Sequence, residues 1–379
     1  MKNTSRRAFL KTTAGVAAVT ATTEIFASQQ NTDGEDYKAL VCVLLDGGAD
    51  SLNMVIPKDE KAYANYKDAR EHMAVEKENI RDIANASFGF HPNMPKLQKL
   101  FNDQNLAVVT NVGTLNKPVS QTQIADAKKG SGILGLPHSL FCHDTQQSLW
   151  LKAGNKDSGW AAKVADELGV DFINVSVSGE NQLQNGSKQK AYIASHEEVG
   201  QSLDEQLEMV ASLIATRKKA NFPSRQIFFV KYDGWDTHDK PICESKLSES
   251  GGAKIAQLDK ALGSFASSLK KLGLEDKVTT FTASDFGRTI TTNRNGADHG
   301  WGGHAFAFGG AVNAGFYGKM PEIKRNSPDA LANNALVPTT SVEQYMATLV
   351  QWLGDEKIEL QKVFPNLASF ESKNLGFMA

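Results

Sequence analysis

The sequence has little cysteine, little net charge and few long apolar runs, and each shortage excludes a class of protein. Its three cysteines, Cys42, Cys142 and Cys243, are too few and too widely spaced for a disulfide framework in 379 residues. A formal net charge of -2 gives no electrostatic case for nucleic-acid binding. Past the first residues, no apolar segment approaches the roughly 20 residues that a membrane-spanning helix needs. We therefore expect a globular protein with no nucleic-acid partner and no stable membrane span.

The first 27 residues have the features of an export signal. Arg6 and Arg7 precede a weakly apolar run that is rich in Ala and Thr. Paired arginines before such a run are typical of a twin-arginine signal peptide. We predict cleavage near Ala27, a flexible linker over residues 28–36, and passage through the twin-arginine translocase to the periplasm or the exterior.

The remaining residues, 37–379, alternate apolar strand patterns with helix patterns. Near-continuous apolar runs at 37–45, 106–112 and 226–232 are typical of parallel strands buried on both faces. Amphipathic stretches such as 197–219 lie between them. This alternation predicts one α/β domain, with a mostly parallel sheet flanked by helices.

Acidic and imidazole side chains follow three of the predicted strands. In chain order they are Asp46 and Asp50, then Asp236 and His238, then Asp285, His299 and His304. Because the carboxyl ends of parallel strands share one edge of a sheet, these side chains can converge there. Carboxylate plus imidazole is the donor mix of hydrolytic zinc or manganese sites. The alternative is a set of tight glycine turns and a polar hairpin whose histidines are structural.

Two further residues have chemical roles in this hypothesis. A long loop is predicted over 113–138, and Ser139 is predicted to begin the helix that follows it. At a helix start, backbone N–H groups and the helix dipole favour an anion, although simple capping is the alternative for a serine there. Arg288 lies just past a predicted strand that begins at Val278, and its guanidinium can bind an oxyanion.

Eight short motifs are distributed along the chain, and five of them contain these residues. They are L-L-D-G-G-A-D-S-L-N-M-V-I-P (44–57), F-H-P-N-M-P-K-L (90–97), S-L-F-C-H-D-T-Q (139–146), G-W (159–160), G-W-D-T-H (234–238), S-D-F-G-R (284–288), D-H-G-W-G-G-H (298–304) and V-P-T-T (337–340). With these motifs the chain resembles the domain-of-unknown-function 1501 family, exported bacterial proteins placed in the alkaline phosphatase and sulfatase superfamily. The resemblance covers nearly the whole chain after the signal and implies an alkaline-phosphatase-like fold.

The resemblance also implies a metal-bridged nucleophile and one or two divalent ions, which would be zinc, manganese or calcium. The implied ligands are Asp236, His238 and His304 for the first ion, and Asp46 or Asp50 with Asp285 for the second. The implied catalytic residues are Ser139 as nucleophile, His143 one turn further on, and Arg288 at the oxyanion.

Two departures from the superfamily pattern bear on the chemistry. Phe286 stands directly after Asp285, where the superfamily often has histidine, so the second metal position is incomplete or His299 supplies the missing imidazole. No cysteine lies in a C-x-P-x-R context, which excludes the formylglycine nucleophile of type I sulfatases.

These features together favour an exported metal-dependent hydrolase of phosphate or sulfate esters, acting on a small molecule or a polysaccharide. The alternative is a non-catalytic exported protein that binds envelope polysaccharide or a protein partner through a degenerate site. A phosphoglycerate-mutase-like phosphotransferase is less well supported, because export would separate it from cytosolic metabolites.

Overall fold

The computed structural model describes most of the chain after the predicted signal and linker. The described residues are 36–83, 86–132, 136–169, 172–189, 191–194, 199–238, 251–293 and 295–379. The predicted signal peptide, all but the last residue of the linker, and Cys243 lie outside these ranges.

Strands form one large and one small sheet within the described residues. They are β1 (Lys38–Leu45), β2 (Val55–Pro57), β3 (Arg81–Asp82), β4 (Phe88–Phe90), β5 (Leu106–Gly113), β6 (Phe172–Ser176), β7 (Tyr192–Ile193), β8 (Arg225–Tyr232), β9 (Val278–Ser284), β10 (Gly303–Phe308), β11 (Gly315–Tyr317) and β12 (Thr340–Ser341). The large sheet has the order β11-β5-β10-β9-β1-β8-β6-β7, with β12 also paired to β5, and β2, β4 and β3 form the small antiparallel sheet. In the large sheet only β10 runs antiparallel to its neighbours in the described chain. The predicted mostly parallel sheet is confirmed.

Strand β1 shows why the sequence of a central strand is apolar throughout. Val41 and Val43 pack into the core on one face of the sheet. Leu40, Cys42 and Leu44 pack into the core on the other face. A strand covered on both sides has no solvent-facing positions, so its polar-apolar alternation disappears. Cys42 is a small core residue of this strand.

Helices cover both faces of the large sheet. In the described ranges they are α1 (Glu60–Arg70), α2 (Pro95–Asn102), α3 (Gln121–Lys128), α4 (His143–Lys152), α5 (Trp160–Leu168), α6 (Leu203–Thr216), α7 (Gly251–Lys271), α8 (Val342–Gly354) and α9 (Leu360–Val363). Helices α2, α6 and α7 pack on one face, and α4, α5, α8 and α9 on the other. None of the described helices is both long and apolar enough to cross a lipid bilayer.

Two predictions in the segment before α4 are wrong. The predicted loop over 113–138 contains α3, which Ser120 caps by accepting a hydrogen bond from Gln123 N. Helix α4 begins at His143 with Cys142 as its N-cap, and Ser139 lies in the preceding turn with a φ of 49°. A serine in the left-handed region cannot be the N-cap, which needs extended backbone.

Candidate metal centre

The loops after β1, β8 and β9 are joined by direct contacts at one edge of the sheet. Asp46 N donates to Tyr232 O at 3.0 Å, and Gly47 N donates to Asp285 Oδ2 at 3.1 Å. Gly47 has a φ of 118°, and a Cβ at this position would lie 2.3 Å from Asp236 N. The glycine therefore allows two acidic loops to approach more closely than any other residue would permit.

Four side chains from three parts of the chain meet beside these loops and form what we call the His/Asp cluster: His143, Asp236, His238 and His299. Ligand atoms of His143, Asp236 and His299 all lie within 4.8 Å of one another. Asp236 Oδ1 is 3.3 Å from His299 Nε2 and 3.2 Å from His238 Nε2, and Asp236 Oδ2 is 3.6 Å from His143 Nε2. The two nitrogens His238 Nε2 and His299 Nε2 are 2.7 Å apart. One carboxylate is thus surrounded by three imidazole nitrogens of the same kind.

The three imidazoles are oriented by oxygen atoms at their other ring nitrogen. The Nδ1 contacts are His143 with Asp285 Oδ2 at 2.6 Å, His299 with Phe141 O at 2.7 Å, and His238 with Asp298 Oδ1 at 3.4 Å. An Nδ1–H that donates to oxygen leaves the Nε2 lone pair available to a cation, and metal-binding histidines usually have such a partner. All three rings therefore direct a ligand nitrogen towards Asp236.

The spacing of these atoms fits a shared divalent ion. Atoms held about 2.0–2.2 Å from one ion in a tetrahedron lie roughly 3.3–3.6 Å apart, close to the three distances to the Asp236 oxygens. His143 Nε2 is buried without a hydrogen-bond partner among the described residues. His238 Nε2 and His299 Nε2, at 2.7 Å, are closer than two ligands of one tetrahedral ion, so these two rings would have to separate by about 0.6 Å for both to bind it. A donor set of imidazoles with one carboxylate is of the zinc type.

The pKa shifts favour the ligand forms of these groups. Burial lowers the pKa of His299, and although its hydrogen bond to Phe141 O acts the other way, the nearby charge of Arg288 also lowers it, so the neutral imidazole is favoured. Burial raises the pKa of Asp236, but the hydrogen bond and charge of Arg288, together with His238 and His299, lower it by more. The carboxyl of Asp236 is therefore ionised well below neutral pH.

Arg288 is the fully buried residue that holds the strand ends together. Its guanidinium donates to Gly48 O (2.7 Å), Ala297 O (3.2 Å), Trp235 O (3.0 Å), Asp236 Oδ1 (2.8 Å) and Gly47 O. These donors are directed at the protein itself, whereas the sequence hypothesis directs them at an oxyanion. The geometry favours a positioning role, in which Arg288 fixes the carboxylate of Asp236.

Asp50 and His304, two of the predicted metal ligands, have other partners. Asp50 forms an ion pair with Arg70, and both side chains are completely buried. His304 accepts a hydrogen bond at Nδ1 from Asn111 N at 3.2 Å and is also buried. The structure places His299, and not His304, beside Asp236 and His238.

Asp46, Asp285 and Ser139 complete the predicted set. Asp46 pairs with Lys231 and accepts a hydrogen bond from Gln147. Asp285 is buried against His143, and Ser139 is exposed in the turn before α4.

His143, which the sequence hypothesis assigned to catalysis alone, belongs to the His/Asp cluster. Its ring lies 4.8 Å from the ring of Phe286, and its Nδ1 contacts Asp285. The first residue of α4 therefore places an imidazole against Asp285, which has Phe286 directly after it in the sequence. Only its motif, S-L-F-C-H-D-T-Q, singles it out in the sequence, because no spacing rule connects α4 to β9.

The burial of His304 leads to a prediction about acid stability. Burial lowers the pKa of His304 to about 4, whereas an unfolded histidine has a pKa near 6.5. Between these values the unfolded chain binds the extra proton, so the residue's contribution to stability is lost as the pH falls, by about 3 kcal/mol between pH 7 and pH 4.

The measurement is urea unfolding of the wild type and of His304→Asn, whose amide oxygen can still accept from Asn111 N. Burial raises the pKa of Glu343 to about 7, so its contribution to stability increases as the pH falls, and it does so equally in both proteins. The test is therefore the difference between them: the stability of the variant is expected to fall less on acidification. A difference that does not change with pH would contradict the prediction.

Among the solved structures to which the chain is similar are three with the following sequence identities, TM-scores and covered shares of this chain and of the other. They are a lipoteichoic acid synthase from Listeria monocytogenes (12% identity, TM-score 0.43, 90% of this chain and 80% of that one), a protein in the alkaline phosphatase superfamily from Vibrio parahaemolyticus (13%, 0.42, 84% and 66%) and the sulfatase PsFucS1 from Pseudoalteromonas sp. (12%, 0.38, 89% and 75%). At these identities and TM-scores the similarity assigns no activity to this chain.

The sequence match to a family model covers part of the chain. Residues 184–355 match the family described as "Protein of unknown function (DUF1501)", so the resemblance predicted from the motifs is confirmed over these residues. No curated protein matches the chain in sequence. The matched segment includes Asp236, His238 and His299 of the His/Asp cluster, and His143 lies before it.

Proposed function

We propose that the protein is an exported, metal-dependent hydrolase of phosphate or sulfate esters, on a small molecule or a polysaccharide. The observation that carries the proposal is the convergence of three Nε2 atoms on the Asp236 carboxylate at the carboxyl edge of a parallel sheet. When bound there, a divalent ion supplies Lewis acidity that polarises an ester and makes an oxygen nucleophile more acidic. Ligands in open α/β sheets bind at this same edge.

The protein's own residues would prepare the centre for this chemistry. Asp285 keeps the proton of His143 on Nδ1, and Phe141 O does the same for His299, so both Nε2 atoms remain bases. Arg288 holds Asp236 in place before substrate arrives, so no reorganisation is needed during the reaction. Ser139, exposed in the turn before α4, is retained as the proposed nucleophile.

The location belongs to the same proposal. Residues 1–27 would be removed after transport through the twin-arginine translocase, and residues 37–379 would act in the periplasm or outside the cell as one domain.

The test is metal analysis of the purified protein combined with assays on an aryl phosphate and an aryl sulfate. We expect a bound divalent ion and turnover of one of the two esters, lost on chelation and restored by zinc or manganese. Ser139→Ala then shows whether the serine is the nucleophile. Metal-free protein without turnover, unchanged by His299→Ala, would refute the enzyme proposal.

A second candidate function is binding of envelope polysaccharide or a protein partner without catalysis. Two placements favour it: Ser139 is not at a helix start, and the carboxylate of Asp46 is occupied by Lys231. A metal-loaded protein that turns over neither ester but binds a glycan saturably would support this alternative over the hydrolase.

A further inference from the structure

The two carboxylates expected to hold a second ion are engaged by donors of the protein. Asp46 Oδ2 forms an ion pair with Lys231 Nζ, and Asp46 Oδ1 accepts a hydrogen bond from Gln147 Nε2. Asp285 Oδ2 accepts from Gly47 N at 3.1 Å and contacts His143 Nδ1 at 2.6 Å. Of these four oxygens, only Asp285 Oδ1 has no hydrogen-bond partner among the described residues.

One remaining oxygen is too few for a second ion. Protein-bound divalent ions of the zinc type take three or four protein ligands. An ammonium group in contact with Asp46 also repels another cation at short range, where the interaction is strongest. The Asp46 and Asp285 pair therefore does not fit the second ion that the superfamily plan implies.

Lys231 is held in this position by the sheet itself. It lies on β8 opposite Leu44 of β1, one residue before the end of each strand. Its ammonium also contacts Asp233 Oδ1 at 3.1 Å, and its side chain is 32% exposed. Two of its three N–H groups are thus used in the described structure, and the exposed part leaves the third open to an anion.

We propose that Lys231 supplies the second positive charge of the centre in place of a second ion, so that the His/Asp cluster binds one divalent ion only. This inference rests on the proposed function, because it concerns the charge presented to the ester. It makes Lys231 a fixed part of the site, with its remaining N–H directed to an ester oxygen.

The experiment counts bound ions and does not depend on activity. Chelator-treated protein is titrated with Mn²⁺, and bound metal per chain is measured after gel filtration. We expect one ion per chain in the wild type and two in Lys231→Gln, where the freed Asp46 Oδ2, Asp285 Oδ1 and the introduced amide oxygen provide three ligands. Adding Asp46→Asn to Lys231→Gln should return the count to one. The matched control is Lys254→Gln, a neighbouring lysine that contacts Asp233 O and lies over the Tyr232 ring, and it should bind one ion.

The outcomes separate this inference from the proposed function. Two ions in the wild type, with ester turnover intact, would overturn the inference and leave the hydrolase standing. One ion in a Lys231→Gln protein with the circular dichroism of the wild type would also overturn it. If that variant does not fold, the wild-type count decides alone. No ion in any variant or in the wild type would overturn the metal-dependent function, and the inference with it.

Discussion

Asp236→Asn is expected to weaken binding of zinc or manganese by more than about 100-fold and to abolish ester turnover. Loss of a residue that only orients a metal ligand already weakens metal binding about 10–100-fold. Asp236 is expected to matter more, because its carboxylate is the group that all three imidazoles face. Asparagine keeps an oxygen that can accept from Arg288, so the fold should be retained. Metal affinity is measured by competition with a chelating dye at pH 7.

The matched control is Asp233→Asn, which removes a carboxylate three residues earlier whose side chain is 64% exposed. It should leave the metal affinity unchanged. If the two variants bind metal equally well, Asp236 is not a ligand and the His/Asp cluster is a hydrogen-bonded network without an ion.

The strands of the large sheet could be predicted because their environment leaves a strong pattern. The apolar runs at 37–45 and 226–232 correspond to Lys38–Leu45 and Arg225–Tyr232. Both are central strands covered by helices on each side, so an apolar or small side chain is favoured at most of their positions. The last long helix, α8, has a local start signal as well, since Ser341 is its N-cap and accepts from Glu343 N.

The segment before α4 shows where composition misled the prediction. Its many Gly, Lys and Gln residues suggested a loop, although Ser120 and Gln123 form a capping box that marks the start of α3. This signal is in the sequence and follows a known rule. The prediction gave more weight to the composition of the whole stretch than to this local pattern.

The composition of the candidate site was more predictable than its geometry. His299 and His304 follow the same strand and differ by five residues, so spacing alone does not choose between them. In the structure an antiparallel bridge between Arg288 and His299 holds His299 at the cluster, while His304 lies within β10. Which of the two histidines joins the cluster therefore depends on pairing between two loops, and no periodic pattern in the sequence predicts such pairing.

Arg288 connects the fold to the candidate site, and its removal is expected to have the largest effect on stability. Arg288→Met leaves Gly47 O, Gly48 O and Trp235 O without their donor in a buried region. Removing one partner from a buried charged network destabilises a protein by about 3–5 kcal/mol. We expect a loss of this size in the free energy of unfolding, measured by urea denaturation with the metal removed.

Two comparisons show whether the effect comes from the buried hydrogen bonds. Arg325→Met changes an arginine that is 43% exposed and pairs with Asp68 and Glu71, so it should cost less than about 1 kcal/mol. Arg288→Lys keeps the charge but has three donors on one atom in place of a planar fork, and it should be destabilised as well.

Because the carbonyls that Arg288 binds belong to the loops after β1 and β8, loosening them separates Asp236 from the histidines. Metal affinity should therefore fall with stability, and a stable Arg288→Met protein would mean that the loops hold their positions without the guanidinium.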